Sequence, residues 1–541
     1  MAEFDYIIIG AGSGGGTLAA RLSDEPDIRV LLLEAGGESD HWSIRMPAAF
    51  GMHFLGGRWN WSYESVPQKN LAGRKIYQPR GKGLGGSSSI NGMAYIRGHA
   101  RDYQRWADEG AHGWSYADVL PYFKRCETNS RGENAWRGGS GPVVTQSLPI
   151  ADPLNRAFVE AGKQAGYLRT DDVNGYQQEG FGPFDMNVDN GVRASTAHAY
   201  INPARHRANL HVRTKVLVRR ILLAGKKAVG VEIEARDGQE TLYADREVIV
   251  SASAFSTPQL LMLSGIGPAD HLREQGIEVV HDLPGVGRNL QDHLEVHVQW
   301  GGALRQSRNR YAKPFAKVMA GARWFLNHDG VCASNQVEVG AFTRSSEDKL
   351  HPDIQYHFFP FLLDGWTPST DRGGFCLCVG TLREYSRGTV RLASSEPTQP
   401  PLIDFNFLDD PRDLEELRIC VHQARDIASQ SAFDPFRGEA VEPWASAKSD
   451  EEIDQLIRDT AQSAYHPSGS CKMGTDAMSV VDPQCAVHGM EGLRIVDSSI
   501  MPSLPSGNLN APTMMIAEKA ADIILDRDPL PPSNAGFYGA G

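Results

Sequence analysis

The sequence predicts a mixed α/β (α+β) fold: a Rossmann-like nucleotide-binding domain assembled from separated segments, and a second domain with an antiparallel sheet built from the insertions between them. Three observations lead there. The chain opens on a β-branched run, "DYIIIG", which turns through "AGSGGG" into "TLAARLSD", whose apolar residues recur at helical spacing. A second apolar run, "RVLLLEAGG", follows at once and completes a β-turn-α-β unit with a right-handed crossover. Strand, loop and helix return near the C-terminus, where "LRIVDSS" leads on to the amphipathic "APTMMIAEKAADIIL".

The elements between these ends follow in order. "LHVRTKVLVRRILLAGKKAVGVEIEARDG" alternates strongly enough for a hairpin or meander, and "EVIVSAS" reads as a buried strand. "SASAFSTPQLLMLSGIG" carries that strand through a small-residue turn into a short helix. Two stretches, 158–207 and 313–461, are richer in aromatic residues, Asp and Pro. The expected division therefore gives 1–157, 208–312 and 462–541 to the nucleotide domain and its tail, and 158–207 with 313–461 to the second domain. The closing "RDPLPPSNAGFYGAG" reads as a poorly ordered tail.

A chain of 541 residues exceeds what one hydrophobic core usually supports, and 41% hydrophobic with 22% charged residues is an ordinary globular composition. A formal charge of -12 without a Lys/Arg run argues against a nucleic-acid partner. The seven cysteines (Cys126, Cys332, Cys376, Cys378, Cys420, Cys471, Cys485) form no CxxC pair, which suits free thiols in a reducing compartment; the expected location is the cytoplasm. "MAEF" passes straight into a strand without a secretory signal pattern, and no stretch reaches the roughly 18–20 apolar residues of a membrane span. Peripheral contact at the inner face of a membrane stays open, as does the oligomeric state.

The chemistry concentrates in a few short blocks. Gly10, Gly12 and Gly15, with Ser13 among them, stand in the G-x-G-x-x-G register that lets backbone approach a pyrophosphate at a helix N-terminus. Glu34 ends the second strand, where a carboxylate accepts hydrogen bonds from ribose hydroxyls. NAD and FAD use the same device. "RGKGLGGSSSINGMAYIRG" can lay bare N–H groups and short donors against a planar ring with an anionic reduced state. His466, in "AYHPSGSCKMG", is a metal ligand, a core histidine or a catalytic acid/base. Zinc needs three or four ligands and neither Cys471 nor His488 makes a zinc-like spacing with His466, so no metal is expected. Asn508 and Asn510, in "PSGNLNAPTMM", can cap the following helix, or one of them can face the same cleft as His466.

These blocks, with "SASAFSTPQLLMLSGIGP", "LPGVGRNLQDH" and "LRIVDSSIMPSLPSGNLNAPTMMIAEKAADII", resemble the glucose-methanol-choline oxidoreductase family of FAD enzymes over residues 4–527. "TDDVNGYQQEGFGPFD" and "RASTAHAYINPA" are most similar to its choline-dehydrogenase branch. The resemblance implies FAD rather than NAD. It implies His466 and Asn510 as the catalytic pair. For the cofactor it implies Gly10, Gly12, Ser13, Gly15, Glu34, the loop residues Gly85, Gly86, Ser87, Asn91, Gly92, Met93 and Ala94, Val216 beside adenine, and Asp497 with Ser498. Ile90 stands where some members tether flavin through a histidine, which implies dissociable FAD.

By the same resemblance His466 takes the hydroxyl proton of a primary alcohol, Asn510 holds the alkoxide, and hydride passes to the flavin to leave an aldehyde. Glu338 matches the place where choline-oxidising relatives hold a carboxylate against the substrate cation; Tyr465, Trp59 and Trp61 add aromatic faces. A choline-like alcohol is the expected substrate, with a quinone, a dye or oxygen as acceptor. The alternatives are an oxygen-using oxidase of aliphatic, benzylic or furanic alcohols and a non-oxidative relative, a lyase or photodecarboxylase.

Overall fold

The computed structural model describes residues 3–539. In chain order its two large sheets use β1 (Phe4–Ile9), β2 (Val30–Glu34), β3 (Gly180–Pro183), β4 (Leu210–Thr214), β5 (Leu217–Ala224), β6 (Lys227–Ala235), β7 (Gly238–Val250), β8 (Leu294–Gly302), β9 (Val339–Thr343), β10 (Ile354–Phe359), β11 (Gly373–Thr381), β12 (Gln462–Ser463) and β13 (Leu493–Ile495). The helices that position the site are α1 (Ser13–Leu22), α2 (Ser253–Leu263), α3 (Pro314–Asn327), α4 (Pro411–Ser429) and α5 (Asn510–Ile524).

The first sheet runs β4-β2-β1-β7-β6-β5, with β13 added to β7. Its centre is parallel: β2, β7 and β13 all run with β1. β1 and β2 are buried along their whole length, as strands covered on both faces must be. The predicted meander is β5-β6-β7, paired antiparallel. β7 then continues into the parallel part, so one long strand joins both halves of the sheet.

The second sheet runs β12-β8-β11-β10-β9-β3 and is antiparallel throughout. Each sheet has its own hydrophobic core. One gathers β1, β2, α1 and α5 around Ile7, Leu32, Leu18 and Met515; the other gathers the antiparallel sheet and α4 around Val298, Tyr356, Leu377 and Leu417. The expected division assigned 208–312 to the nucleotide domain, but β8 belongs to the antiparallel sheet. Its pattern in "LEVHVQWGG" is that of a strand with one face in the core, and no shift in composition announces the change of partner.

Two glycine loops meet over the first sheet. Gly85 donates to Ala11 O at 2.8 Å, and a Cβ on Gly86, whose φ is +51°, would stand 2.7 Å from the Gly12 Cα. Only glycine lets these two stretches of backbone touch. At the other end, α5 is tied to α1 by Arg21–Glu518 at 2.9 Å, and Arg125 reaches the same carboxylate at 2.7 Å. These partly buried pairs bring the last helix of the chain against the first.

Candidate active site

Where the two sheets meet, a cavity of about 790 Å³ runs from Ser13, Ser87, Ser88 and Ile90 past Asp497, Ser498 and Asn510 to His466, Asn508, Tyr465 and Glu295. His466 is held on three sides. Its backbone N–H donates to Asp292 Oδ1 at 2.6 Å, its Nδ1 lies 3.0 Å from His293 Nδ1, and its Nε2 lies 3.0 Å from Asn508 Nδ2. Gln355 donates to Asn508 Oδ1 at 3.2 Å, which leaves the Asn508 amide N–H to point at His466. His466 Nε2 is then the bare nitrogen, Nδ1–H donates to His293, and His293 Nε2–H reaches Leu382 O at 3.3 Å.

Every link in that chain requires neutral imidazoles. Burial pushes His466 well below the usual imidazole range, and neighbouring His293, His357 and Arg80 push the same way. Burial also lowers His293, to about 3. Asp292 is pushed up to about 6 by burial, although Ser463 and the His466 N–H favour its charge.

Asn510 lines the same cavity as His466, and its Oδ1 accepts from Ser13 Oγ at 2.7 Å. Its amide nitrogen has no protein acceptor among the described residues. The two asparagines stand two apart where the chain turns into α5, so their side chains diverge. Asn508, named in the sequence only as a cap or cleft residue, is the amide that touches the histidine.

Glu338 does not line the cavity. It is buried behind the wall and accepts from Arg308 at 2.7 and 2.9 Å, Asn155 at 2.9 Å and Ser334 at 2.6 Å. Its expected role facing a substrate cation conflicts with that arrangement, because its charge is already matched by a guanidinium. Trp59 and Trp61 lie outside the cavity wall as well: Arg58 covers Trp59 and Trp61 stacks on Tyr63. Two acids line the cavity: Asp497, and Glu295 on β8, which shares it with Phe54, Trp366 and Tyr465. These three rings stand 5.4–6.2 Å apart. Glu295 Oε1 is 3.0 Å from His297 Nε2, and that contact, working against burial, raises the His297 pKa. A signal for Glu295 was present in "QDHLEVHVQW", where Glu295 and His297 share one face of a strand, but nothing in the sequence said which face meets a cavity.

At the other end, Glu34 accepts from Ala11 N at 3.0 Å and Gly36 N at 2.7 Å, and Val216 N donates to Glu34 O at 3.0 Å. Gly10, Gly12 and Gly15 form the turn into α1. Asn91 Oδ1 receives Met93 N and the buried Arg193, which pins the 85–94 loop with Gly92 and Ala94 on the cavity side. Asp497 accepts from Ser253 N, Thr257 and Ser499 N, and Ser498 donates to Pro467 O at 3.1 Å.

An α/β nucleotide domain joined to an antiparallel sheet, with a half-buried neutral histidine between them, defines a class of flavoprotein oxidoreductase. The chain belongs to the GMC oxidoreductase family: the two family models, both described as GMC oxidoreductase, match residues 4–295 and 384–517. It is an FAD-dependent enzyme of alcohol oxidation. It is 50% identical over 544 residues to the oxygen-dependent choline dehydrogenase of Burkholderia thailandensis, covering 99% of this chain and 96% of that one. It is 48% identical over 539 residues to the protein of the same name from Photobacterium profundum, covering 98% and 94%. Among solved structures, pyridoxine 4-oxidase from Mesorbium loti superposes with a TM-score of 0.87 at 32% identity, covering 97% of this chain and 100% of that one. Formate oxidase gives 0.89 at 26% identity, covering 97% and 98%.

The residues present fit FAD. α1 begins with no side-chain cap and no acid in its first turn, so its N-terminal N–H groups are left for an anion. A Cβ on Gly92 would meet nothing within 4 Å, which leaves bare backbone at the cavity wall. Glu34 keeps a lone pair beyond those that accept from the Ala11, Gly36 and Gly83 backbone.

Proposed function

We propose that the enzyme oxidises a primary alcohol bearing a quaternary ammonium group, choline or a close analogue, to the aldehyde. The observation that carries this reading is the Glu295 carboxylate, grouped with Phe54, Trp366 and Tyr465 in the same cavity as His466. A cation held between an acid and aromatic faces gains Coulombic and cation–π attraction, the latter about 0.5–2 kcal/mol per ring. The names of the 48–50% identical relatives agree with it.

FAD, when bound, supplies the two-electron acceptor for the hydride. In this proposal it lies along Gly10, Gly12, Ser13, Gly15, Glu34, Val216, the 85–94 loop, Asp497 and Ser498, without a covalent tether because Ile90 offers none. His466 Nε2 accepts the alcohol proton in place of the Asn508 amide. Burial that keeps this nitrogen bare also makes the imidazolium costly, so proton transfer coincides with loss of hydride from the α-carbon. Asn508 and His293 fix the ring, and the free Asn510 amide donates to the developing alkoxide.

Oxygen is the proposed acceptor, as the relatives' names state of those proteins. No helix among the described residues is long and apolar enough to cross a membrane. A peripheral membrane contact is proposed at α3, which exposes Phe315, Val318, Met319, Phe325 and Leu326 and lines the cavity mouth through Gly321 and Phe325. Co-sedimentation with phosphatidylglycerol vesicles tests that contact, and failure to pellet above the protein-only control rejects it.

The test of substrate is anaerobic bleaching of the bound flavin by choline and by 3,3-dimethylbutan-1-ol, its neutral carbon isostere. Faster reduction by choline at equal subsaturating concentration supports the reading; equal rates remove the cation site from it. Bleaching by neither removes choline and its close analogues as substrates.

A further inference from the structure

Beside Glu295, the cavity holds two imidazoles and a thiol that the oxidation does not use. Antiparallel pairing sets His297 of β8 opposite Cys378 of β11, and Cys378 opposite His357 of β10. Directly opposed residues share a sheet face, so an imidazole, a thiol and a second imidazole stand in one row across three strands. Glu295, two positions before His297, extends the group on the same face. All four line the cavity.

The ligand atoms of Glu295, His297 and Cys378 lie within 4.8 Å of one another, and His357 Nδ1 is 3.9 Å from Glu295 Oε2. Four-coordinate Zn²⁺, with bonds of about 2.0–2.3 Å, sets its ligands roughly 3.3–3.7 Å apart. The cluster therefore needs to contract by about an ångström, within the reach of Glu and His rotamers. One carboxylate and one thiolate balance a divalent charge, which a partly buried site requires. Burial holds the Cys378 thiol in its neutral form, and its neighbour Cys376, 3.5 Å away sulfur to sulfur, adds no cation that would ionise it. Thiolate and imidazole select a borderline-soft ion over Mg²⁺ or Ca²⁺, which take oxygen ligands.

We propose that Glu295, His297 and Cys378 form an inhibitory Zn²⁺ site, with His357 or water completing the coordination, at the end of the cavity where a substrate ammonium would sit. Binding exchanges the Cys378 S–H proton, released to solvent, for a Zn–S bond; any proton on His297 leaves with it. The metal cancels the charge of Glu295 and fills its space, so it competes with a cationic substrate and leaves turnover at saturation unchanged.

The test is isothermal titration of chelator-treated, FAD-loaded enzyme with ZnCl₂ in two buffers of different ionisation enthalpy, with and without saturating choline. One equivalent bound in the micromolar range or tighter, release of about one proton or more, and weakening by choline are expected. Cys378→Ser should weaken binding about tenfold or more, Cys376→Ser should not, and Zn²⁺ should raise KM for choline without lowering kcat. Absence of binding, or equal affinity in Cys378→Ser, overturns the site, and Cys378-dependent binding that choline does not weaken overturns its inhibitory role. If Cys378→Ser does not fold, Glu295→Gln gives the same readout by titration. Cys378-dependent binding in an enzyme that shows no preference for choline over its neutral isostere keeps the zinc site and sinks the ammonium reading.

Discussion

Glu338 and Glu295 are both acids of the antiparallel sheet and its approach, and the structure gives them opposite surroundings. Glu338 is enclosed by Arg308, Asn155 and Ser334, so its charge is matched inside the protein. Glu295 has only imidazoles beside it and an open cavity in front. A carboxylate whose partner is an internal guanidinium braces the fold. One whose protein partners can all be neutral is left to receive a charge from outside. The difference teaches that the partner list of an acid, more than its position in a motif, decides whether it recognises a cation.

The comparison can be broken at either acid. The largest stability effect belongs to Glu338→Gln, which leaves Arg308 with only Asp152 as an ionic partner; a loss on the order of 3 kcal/mol is expected, read from the urea midpoint. The variant that remains folded should keep the choline preference of the parent. A selective loss of choline there would restore Glu338 to the substrate site. Glu295→Gln should do the reverse, lowering kcat/KM for choline about tenfold or more while changing the neutral isostere less than about threefold. Equal losses on both alcohols would undo the contrast. Trp366→Ala should cost choline roughly 1 kcal/mol in kcat/KM, the scale of one cation–π face, measured against the same isostere.

The smallest effect is a pH dependence. His297 has a folded-state pKa raised above 6.5 by Glu295, against burial. The stabilisation from that pair is complete below about pH 6.5 and fades as pH rises through the raised value. Across the same window the imidazolium loses its proton and uncovers the Glu295 charge. KM for choline should therefore fall with rising pH while that of the isostere stays level. A parallel change in both would show that Glu295 is not what the histidine masks.

Much of the fold was legible because it rests on local pattern. "YIIIGAGSGGG" combines a buried strand, a glycine turn and a helix within a few residues, and the meander at 217–250 announces itself by alternation. The ends of the cavity were legible in the same way: His466, Tyr465, Asn510 and the 85–94 loop all come from distinctive short blocks and all line it. What remained hidden depends on register between distant strands. No local feature says that His297 faces Cys378, or that Trp366, in a loop region with no marked motif, closes over Tyr465. The place of Glu338 turned on Arg308, thirty residues earlier and in a different element. Asn508 and Asn510 differ only in where the helix begins, which sequence places to within a turn at best.

The proposed mechanism turns on His466 as the group that takes the alcohol proton. Its direct test is single-turnover, anaerobic reduction of the flavin in His466→Ala by choline, followed by stopped-flow absorbance on enzyme shown to retain FAD. Loss of the base should slow reduction by about 10² or more while the cofactor stays bound. Reduction at close to the parent rate would contradict the account.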